Sequence, residues 1–224
     1  MAQQAANVAG QPRRRLGLDE RREALLGHAV ELFNTRPYDD VSVDDIAGAA
    51  GVSKGLLYHY FANKRELHVA CVQLSTERFV HAIDIDDPDP QTRLCRSLTA
   101  YVDYVAASKE GYRAVLLGGA GSDPAVVAVV ERARVAAVQR ILADGGRPAS
   151  PAVLIAIRGW IGFCEAAALA WLAQPELPRH VPLNLMMDAF GTVQRALAAD
   201  LAPPDELRPG GASQASAGPT DQRD

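Results

Sequence analysis

The sequence is poor in aromatic residues and in cysteine. Aromatic side chains make up 6% of the chain, and its apolar residues are mainly alanine, leucine and valine. This composition favours helices over β-sheets. The three cysteines, Cys71, Cys95 and Cys164, are odd in number and follow no CxxC or Cys/His spacing. We therefore expect neither a disulfide framework nor a metal site, and we expect reduced, buried thiols.

Long apolar runs and enzyme motifs are also missing. No continuous run approaches the roughly 20 apolar residues of a membrane helix, and the basic N-terminus, MAQQAANVAGQPRRR, lacks the apolar core of a secretory signal. GxSxG, P-loop and HExxH patterns do not occur, and the five histidines are scattered. We expect a cytoplasmic protein that binds no membrane, holds no cofactor and is not an enzyme.

The charge of the chain limits the size of any surface for nucleic acid. The formal net charge is −4, and residues 66–224 carry 14 Lys and Arg against 19 Asp and Glu. Residues 1–65 carry nine Lys and Arg against eight Asp and Glu. A DNA-binding surface is therefore expected only in the N-terminal third of the chain, and it must be small.

Apolar periodicity places a helical body between two tails. Residues 1–18 and 202–224 have too little apolar content to pack, and we predict a disordered basic arm and a disordered tail. Between them we expect an N-terminal helical unit at 19–65 and a larger helical unit at 66–201, which begins with a long helix. Beyond that helix, the predicted helices are 91–108, 110–118, 123–144, 151–173 and 183–201.

Capping signals divide the N-terminal unit into short helices. A first helix begins near Asp19 and ends before Pro37. Ser42 caps a second helix, which Gly51 ends in a left-handed conformation, and Ser53 caps a third. Two short helices that are joined by a tight turn and braced by a longer helix make a helix-turn-helix, whose second helix enters a DNA major groove.

The third helix, in GVSKGLLYHYFANK, is rich in aromatic rings. Leu57 and Phe61 are four residues apart and should face inward, which leaves Lys54, Tyr58 and His59 facing outward. A tyrosine has a rigid apolar body, and its hydroxyl can donate to a phosphate oxygen. A role in packing alone suits Phe61 but does not suit Tyr58 beside Lys54.

The stretch VSVDDIAGAAGVSKGLLYHYFANKREL resembles the DNA-binding domain of the TetR (tetracycline repressor) family of one-component regulators, and the resemblance extends from about Asp19 to Ala70. It rests on a set of positions that is specific together: Ile46-Ala47, Gly51-Val52-Ser53, Leu57-Tyr58, Tyr60-Phe61 and Lys64. The resemblance implies an all-α fold. An N-terminal three-helix helix-turn-helix DNA-binding domain at 19–65 would precede a larger helical domain at 66–201 for ligand binding and dimerisation.

The resemblance also implies which residues contact DNA. These are Ser42, Ser53, Lys54, Gly55, Tyr58, His59 and Lys64, where Gly55 lets the backbone approach and the others reach phosphates or base edges. Tyr60 stands where many relatives have histidine and is a further candidate. Leu56 lies at a variable position, and we suggest that it touches a thymine methyl. Arg13, Arg14 and Arg15 stand where some relatives carry an arm that enters the minor groove, although a flexible solvated tail explains them equally well.

The C-terminal part resembles the family in architecture alone. By that resemblance, the helices at 151–173 and 183–201 pair with their copies in a second subunit, and a cavity among residues 91–173 holds a small-molecule effector. The apolar lining suggests a lipophilic effector, and EGYRAVLLGGAGSDPAV looks like part of regulators that sense fatty acyl-CoA. The candidate lining residues are Tyr101, Tyr104, Val105, Tyr112, Leu116, Val138, Arg158, Trp160, Phe163 and Trp171, with Arg158 as a partner for an anion.

Taken together, the resemblance implies a regulator that binds a palindromic operator in double-stranded DNA as a homodimer. A repressor that the ligand releases is the expected mode. Three alternatives remain open at this point: a transcriptional activator, a DNA-binding protein of the same fold without an effector, and a monomer in which the helix at 151–173 is a buried core helix. For each cavity candidate taken alone, ordinary core packing is also an alternative.

Overall fold

The computed structural model describes residues 18–117, 123–145 and 150–198. Arg13, Arg14 and Arg15 and the predicted C-terminal tail lie outside these residues. Within them the chain forms α-helices and no strand, which confirms the all-α prediction. The helices are α1 Leu18–Thr35, α2 Val43–Ala49, α3 Lys54–Tyr60, α4 Lys64–Ile83, α5 Pro90–Ala107, α6 Lys109–Leu116, α7 Pro124–Gly145, α8 Pro151–Leu172 and α9 His180–Ala198.

The predicted caps set the ends of α2 and α3. Ser42 Oγ accepts a hydrogen bond from the Asp45 amide at 3.0 Å, and the Asp45 carboxylate accepts one from the Ser42 amide at 2.9 Å. Gly51 then turns the chain with a φ of 64°, a conformation that favours glycine. Ser53 Oγ accepts from the Leu56 amide at 3.2 Å and so begins α3. These contacts confirm the prediction of two short capped helices around a glycine turn.

A first apolar core holds the N-terminal helices together. A helix of seven residues such as α3 is not stable alone, and it is held here by Leu57 and Phe61, which are each 2% exposed. Their partners in this core come from α1, α2 and the first two turns of α4, including Ile46 and Leu67. Full burial of one such side chain stabilises the fold by about 1.5–3 kcal/mol. The inward orientation predicted for Leu57 and Phe61 is confirmed.

The long helix α4 continues from this core into the C-terminal body, which is the part of the fold formed by α5 to α9. It packs on α1 at one end and on α5 and α7 further along, while α8 packs most extensively on α9. Near the start of α4, Arg65 forms a two-contact ion pair with Asp123 at 2.5 and 2.7 Å. Asp123 also accepts from the Ala125 amide in the first turn of α7. The N-terminal helices and the body are therefore joined by apolar packing and by an ion pair.

Most helix ends fall within one or two residues of the prediction, and the larger differences are the start of α9 and one additional short helix. Helix α9 begins at His180 rather than near Leu183. Pro182 therefore lies in the first turn, where a backbone amide needs no partner within the helix, so this proline does not delay the helix. A short 3-10 helix, Tyr38–Asp40, follows α1 and was not expected.

Helix α8 is apolar along most of its length, although Arg158 and Glu165 interrupt its apolar run. It is long and apolar enough to cross a membrane by length and composition, and 22% of its most apolar window is buried. A helix at the core of a soluble protein passes the same test. The low burial shows that much of its apolar surface is not covered within one copy of the chain.

Candidate DNA interface and ligand cavity

The predicted DNA-contacting residues that the structure describes lie on α3 and at the starts of α2 and α4, where most of them contribute to the surface. Exposed on this surface are Ser42, Ser53, Lys54, Gly55, Tyr58 and His59. Leu56, Tyr60 and Lys64 are half-buried beside them. Tyr58 is 46% exposed, so packing does not account for its ring.

The two serines keep a hydrogen-bond donor for DNA. The Oγ atoms of Ser42 and Ser53 each accept from a backbone amide in their own helix. A hydroxyl that accepts one bond still has its own proton to donate. Each cap can therefore donate to a phosphate oxygen without giving up the contact that begins the helix.

Lys54 is paired with an acidic side chain. Its Nζ donates to Asp44 Oδ2 at 2.9 Å, and this hydrogen bond raises the pKa of the Lys54 ammonium. Both side chains are exposed. A phosphate that takes Lys54 as its donor must compete with the Asp44 carboxylate, which weakens a contact with DNA of any sequence.

Lys64 rests on a cluster of rings that sequence reasoning missed. Its Nζ lies 4.1 Å from the centroid of the Tyr38 ring, a cation–π contact. Tyr38 in turn lies 4.7 Å from the His68 ring and stacks on Phe33 at 5.8 Å. His68 is buried, and this desolvation lowers its pKa to about 4. The spacing of four residues between Lys64 and His68, which places both on one side of α4, is the signal that could have found this cluster.

Tyr60, the last residue of α3, lies at the edge of the first apolar core. Its ring packs edge-to-face on His59 at 5.3 Å, and its apolar part contacts the first core. It is half-buried rather than fully enclosed. Contact between Tyr60 and DNA stays a prediction.

A large cavity lies beneath this region. Its volume is about 590 Å³, and most of its lining is apolar. The prediction placed it among residues 91–173, but the wall also includes parts of α1, α4 and α9. Phe33 and His68 belong both to this wall and to the ring cluster under Lys64. The cavity therefore reaches α4, whose first residue, Lys64, is a predicted DNA contact.

Half of the predicted lining residues lie on the cavity wall. Tyr101, Tyr104, Tyr112, Leu116 and Trp160 line it, and the other five predicted residues do not. Val105 and Val138 are buried within the cores of the body. Phe163 is 41% exposed on the outer side of α8.

The two remaining predicted residues are engaged elsewhere. Arg158 lies at the surface, where it pairs with Glu131 at 2.8 Å instead of facing a ligand. Trp171 packs on the core of the body and donates its Nε1–H to the Leu177 carbonyl at 2.9 Å. Apolar periodicity predicted which sides of these helices are buried, but it did not predict which of the buried residues face the cavity.

Polar pairs interrupt the apolar wall, among them the ion pairs Arg93–Asp144 and Arg140–Asp84. Two further pairs lie on α5, α6, α7 and α8. The hydroxyl oxygens of Tyr101 and Tyr112 lie 2.5 Å apart. Arg134 donates to both carboxylate oxygens of Glu165 at 2.8 and 2.7 Å. Desolvation raises the pKa of both tyrosines. Both phenols therefore remain protonated at neutral pH.

The cysteines divide into two kinds. Cys71 and Cys164 are buried at the cavity wall, and desolvation raises the pKa of each thiol to about 12. Cys95 is exposed on α5, contrary to the expectation that all three are buried. Among the described residues, no group of three or more His, Cys, Asp or Glu could hold a metal ion.

The outer side of α8 carries an apolar stripe. Leu154 and Ile155 are 37% and 73% exposed, and Phe163 is exposed two turns beyond Ile155. At 3.6 residues per turn, Ile155 lies near the middle of this exposed side, and Leu154 and Phe163 lie at its two edges. Gly159 and Gly162 lie between them, and a Cβ atom at either position would meet nothing within 4 Å. In one copy of the chain this side of α8 is uncovered and has room for close approach by another helix.

Two family models match the chain. Residues 25–71 match bacterial regulatory proteins of the tetR family, and residues 90–193 match the tetracyclin repressor-like C-terminal domain. The first match covers most of α1 through the first turns of α4, and the second begins at α5. The matches thus cover both the exposed surface of α3 and most of the helices that enclose the cavity.

Several known proteins are similar over most of the chain. The HTH-type transcriptional activator FasR of Mycolicibacterium smegmatis is 32% identical over 189 residues, which cover 81% of this chain and 84% of that protein. A crystal structure of a tetR-family regulator from Streptomyces coelicolor is 32% identical with a TM-score of 0.72, covering 82% and 90% of the two chains. The fatty acid degradation regulator FadR of Bacillus halodurans, at 17% identity and a TM-score of 0.59, covers 84% and 98% and shares the fold.

Proposed function

Because the chain belongs to the TetR family of bacterial transcriptional regulators, we propose that it reads a palindromic operator as a homodimer and that a lipophilic effector in its cavity alters this binding. Family membership makes it a DNA-binding regulator and not an enzyme. The family consists of soluble DNA-binding proteins, and we place this chain in the cytoplasm. We assign DNA binding to residues 19–65 and effector binding and dimerisation to 66–201.

The proposed DNA contacts combine phosphate binding with one base contact. Ser42, Ser53, Tyr58, His59 and Lys64 would contact phosphates around α3, and their exposure supports this assignment. Lys54 and Gly55 lie at the start of α3, where the chain can approach a base edge. Leu56 is the proposed contact to a thymine methyl, and Tyr60 is a secondary candidate. We also propose, from the sequence alone, that Arg13, Arg14 and Arg15 form an arm that enters the minor groove.

The apolar stripe of α8 supports a homodimer. A second copy related by a two-fold axis would place α8 and α9 against their counterparts and cover Leu154, Ile155 and Phe163. Gly159 and Gly162 allow the close approach that such a four-helix contact needs. Dimerisation also accounts for the low burial of an apolar helix in a family of soluble proteins.

The observation that carries the proposal is the shared wall between the cavity and the DNA-binding helices. Phe33 and His68 face the cavity on one side and contact Tyr38 beneath Lys64 on the other. A ligand that enlarges or reshapes this wall shifts the position of Lys64 and of α4. A change of that kind alters the separation of the two recognition helices, which must be near one DNA turn, ~34 Å, to bind two half-sites.

Binding-site selection tests the proposal directly. Purified full-length protein would be incubated with random duplexes, and the bound duplexes sequenced. We expect two inverted half-sites separated centre to centre by about 10 base pairs. Enrichment of single half-sites would contradict binding of the operator by a dimer. In the same selection, Leu56→Ala should change the preferred base at one position of each half-site. An unchanged preference would exclude the proposed contact to thymine.

Activation is the second candidate for the regulatory outcome. The FasR relative of Mycolicibacterium smegmatis is a transcriptional activator, whereas a repressor released by its ligand is the expected mode from the family resemblance. Transcription in vitro from a promoter that carries the selected operator separates the two. A repressor lowers the amount of transcript as protein is added, and an activator raises it.

A further inference from the structure

The polar groups inside the cavity restrict the chemistry of the ligand. Most of the wall is apolar, so the few hydrogen-bonding groups decide which polar atom a lipophilic molecule can carry into it. The pairs Tyr101–Tyr112 and Arg134–Glu165 both lie on this wall. Tyr101 and Tyr112 pack on the apolar cluster that includes Cys164, the residue directly before Glu165, so the two pairs adjoin on the wall. The two pairs thus form one polar site, which is formed by α5, α6, α7 and α8.

This site has one hydrogen-bond donor to spare. Two phenols carry two protons, and the bond between Tyr101 and Tyr112 uses only one of them. Both side chains line the cavity and are half-buried, so each keeps some accessible surface. The remaining proton is therefore available to an acceptor on a bound molecule.

The charges at the site are already balanced. Arg134 binds the Glu165 carboxylate through two hydrogen bonds and also lies 3.5 Å from Glu131. Glu131 is in turn paired with Arg158. An additional carboxylate beside Glu165 would meet like charge and no uncommitted cation in this cluster, and burial of such a charge is costly. A neutral oxygen acceptor meets neither penalty.

We propose that Tyr101 and Tyr112 together form a subsite that donates a hydrogen bond to a neutral carbonyl oxygen of the effector, such as the carbonyl of an ester, thioester, amide or ketone. Glu165, fixed by Arg134, excludes a free carboxylate from the same place. The inference rests on the proposed effector cavity and narrows its ligand to lipophilic molecules with a neutral carbonyl group.

Three probes with the same alkyl chain test this subsite: methyl dodecanoate, dodecanoate and dodecane. Their affinities for the full-length protein would be measured by displacement of a fluorescent dye from the cavity. We expect methyl dodecanoate to bind more tightly than the other two. In the double variant Tyr101→Phe/Tyr112→Phe, the advantage of the ester over dodecane should fall roughly fivefold, the effect of one neutral hydrogen bond.

Single variants distinguish the subsite from a structural role. Tyr101→Phe or Tyr112→Phe alone leaves one phenol whose proton is no longer shared, so each should keep most of the preference for the ester. Tyr104→Phe is the matched control, because Tyr104 lines the same cavity but does not belong to the pair. Its ratio of ester to alkane affinity should not change. Melting temperatures of all variants would verify that each is folded.

The outcomes separate this inference from the proposed function. Equal binding of ester and dodecane, or a preference that survives the double variant, overturns the subsite but leaves a lipophilic cavity. Tighter binding of dodecanoate than of the ester overturns the exclusion of a carboxylate if the double variant removes this preference. If that preference survives the double variant, the carboxylate binds elsewhere on the wall, such as at Arg93 or Arg140, and the subsite does not select the ligand. If none of the three probes displaces the dye, both the lipophilic effector and the subsite are wrong.

Discussion

Ile155→Asp tests the dimer through the most exposed large apolar residue on α8. Ile155 is 73% exposed in one copy of the chain and lies at one end of the stripe that includes Phe163. If α8 packs on its counterpart, the substitution replaces a buried aliphatic side chain with a charge in each subunit. If the chain is a monomer, the substitution changes only the surface and has little effect.

The size of the effect follows from the exposure of this side chain. Full burial of an isoleucine side chain contributes roughly 1.5–3 kcal/mol. Because about three quarters of Ile155 is exposed in one copy, its burial in a dimer would contribute roughly 1–2 kcal/mol. A two-fold axis makes every contact twice, so the loss is about 2–4 kcal/mol per dimer. The dissociation constant of the dimer should then rise roughly 30- to 700-fold. Burial of the introduced charges would increase this value.

Sedimentation equilibrium over a range of concentrations measures this constant. Val127→Asp is a matched control, since Val127 is an apolar residue of α7 that is 49% exposed and does not belong to the stripe. The control should associate as the wild type does, and affinity for a two-half-site operator should fall only in Ile155→Asp. Equal association constants for wild type and Ile155→Asp would refute the assignment of α8 to the interface.

Three further predictions concern the DNA-binding helices. Asp44→Asn should strengthen binding to DNA of any sequence, because Lys54 loses its carboxylate partner; fluorescence anisotropy measures this, and weaker binding would contradict it. Leu57→Ala should destabilise the protein by about 2–5 kcal/mol in urea unfolding, whereas a loss below about 1 kcal/mol would mean that α3 is held by other contacts. The pKa of His68 is about 4 in the folded chain and 6.5 in the unfolded reference, so protonation favours unfolding. The contribution of His68 to the free energy of unfolding is therefore fully present above pH 6.5, and up to about 3 kcal/mol of it is lost as the pH falls towards 4. In His68→Leu, the free energy of unfolding should depend less on pH in this range. An unchanged dependence on pH would exclude His68 as its source.

Local signals in the sequence predicted the N-terminal helices well. Ser42, Gly51 and Ser53 act through hydrogen bonds and backbone angles within a few residues, so their effect can be read without the tertiary structure. Pro182 misled the prediction for α9, because a proline ends a helix in its interior but fits its first turn. Whether Pro182 lies in the first turn or in the interior of α9 depends on where the helix begins, and this is set by the path of the chain before it.

The cavity could be predicted only in part. Tyr101 and Tyr112 were predicted as lining residues, but their hydrogen bond depends on how α6 is placed on α5. Phe33 and His68 were missed because the prediction confined the cavity to residues 91–173, whereas these two residues lie on α1 and α4. Apolar periodicity indicates that a side of a helix is buried, but it does not distinguish a side that faces a filled core from one that faces a cavity.

The proposed function depends most on coupling between the cavity and the proposed DNA-binding surface. It is tested by the affinity of the wild-type protein for its selected operator duplex, measured by anisotropy with and without enough methyl dodecanoate to displace the dye completely. Because the coupling free energy between two such sites is typically about 1–3 kcal/mol, we expect the operator affinity to change by about 5- to 150-fold. An operator affinity that stays the same while the ester occupies the cavity would contradict it.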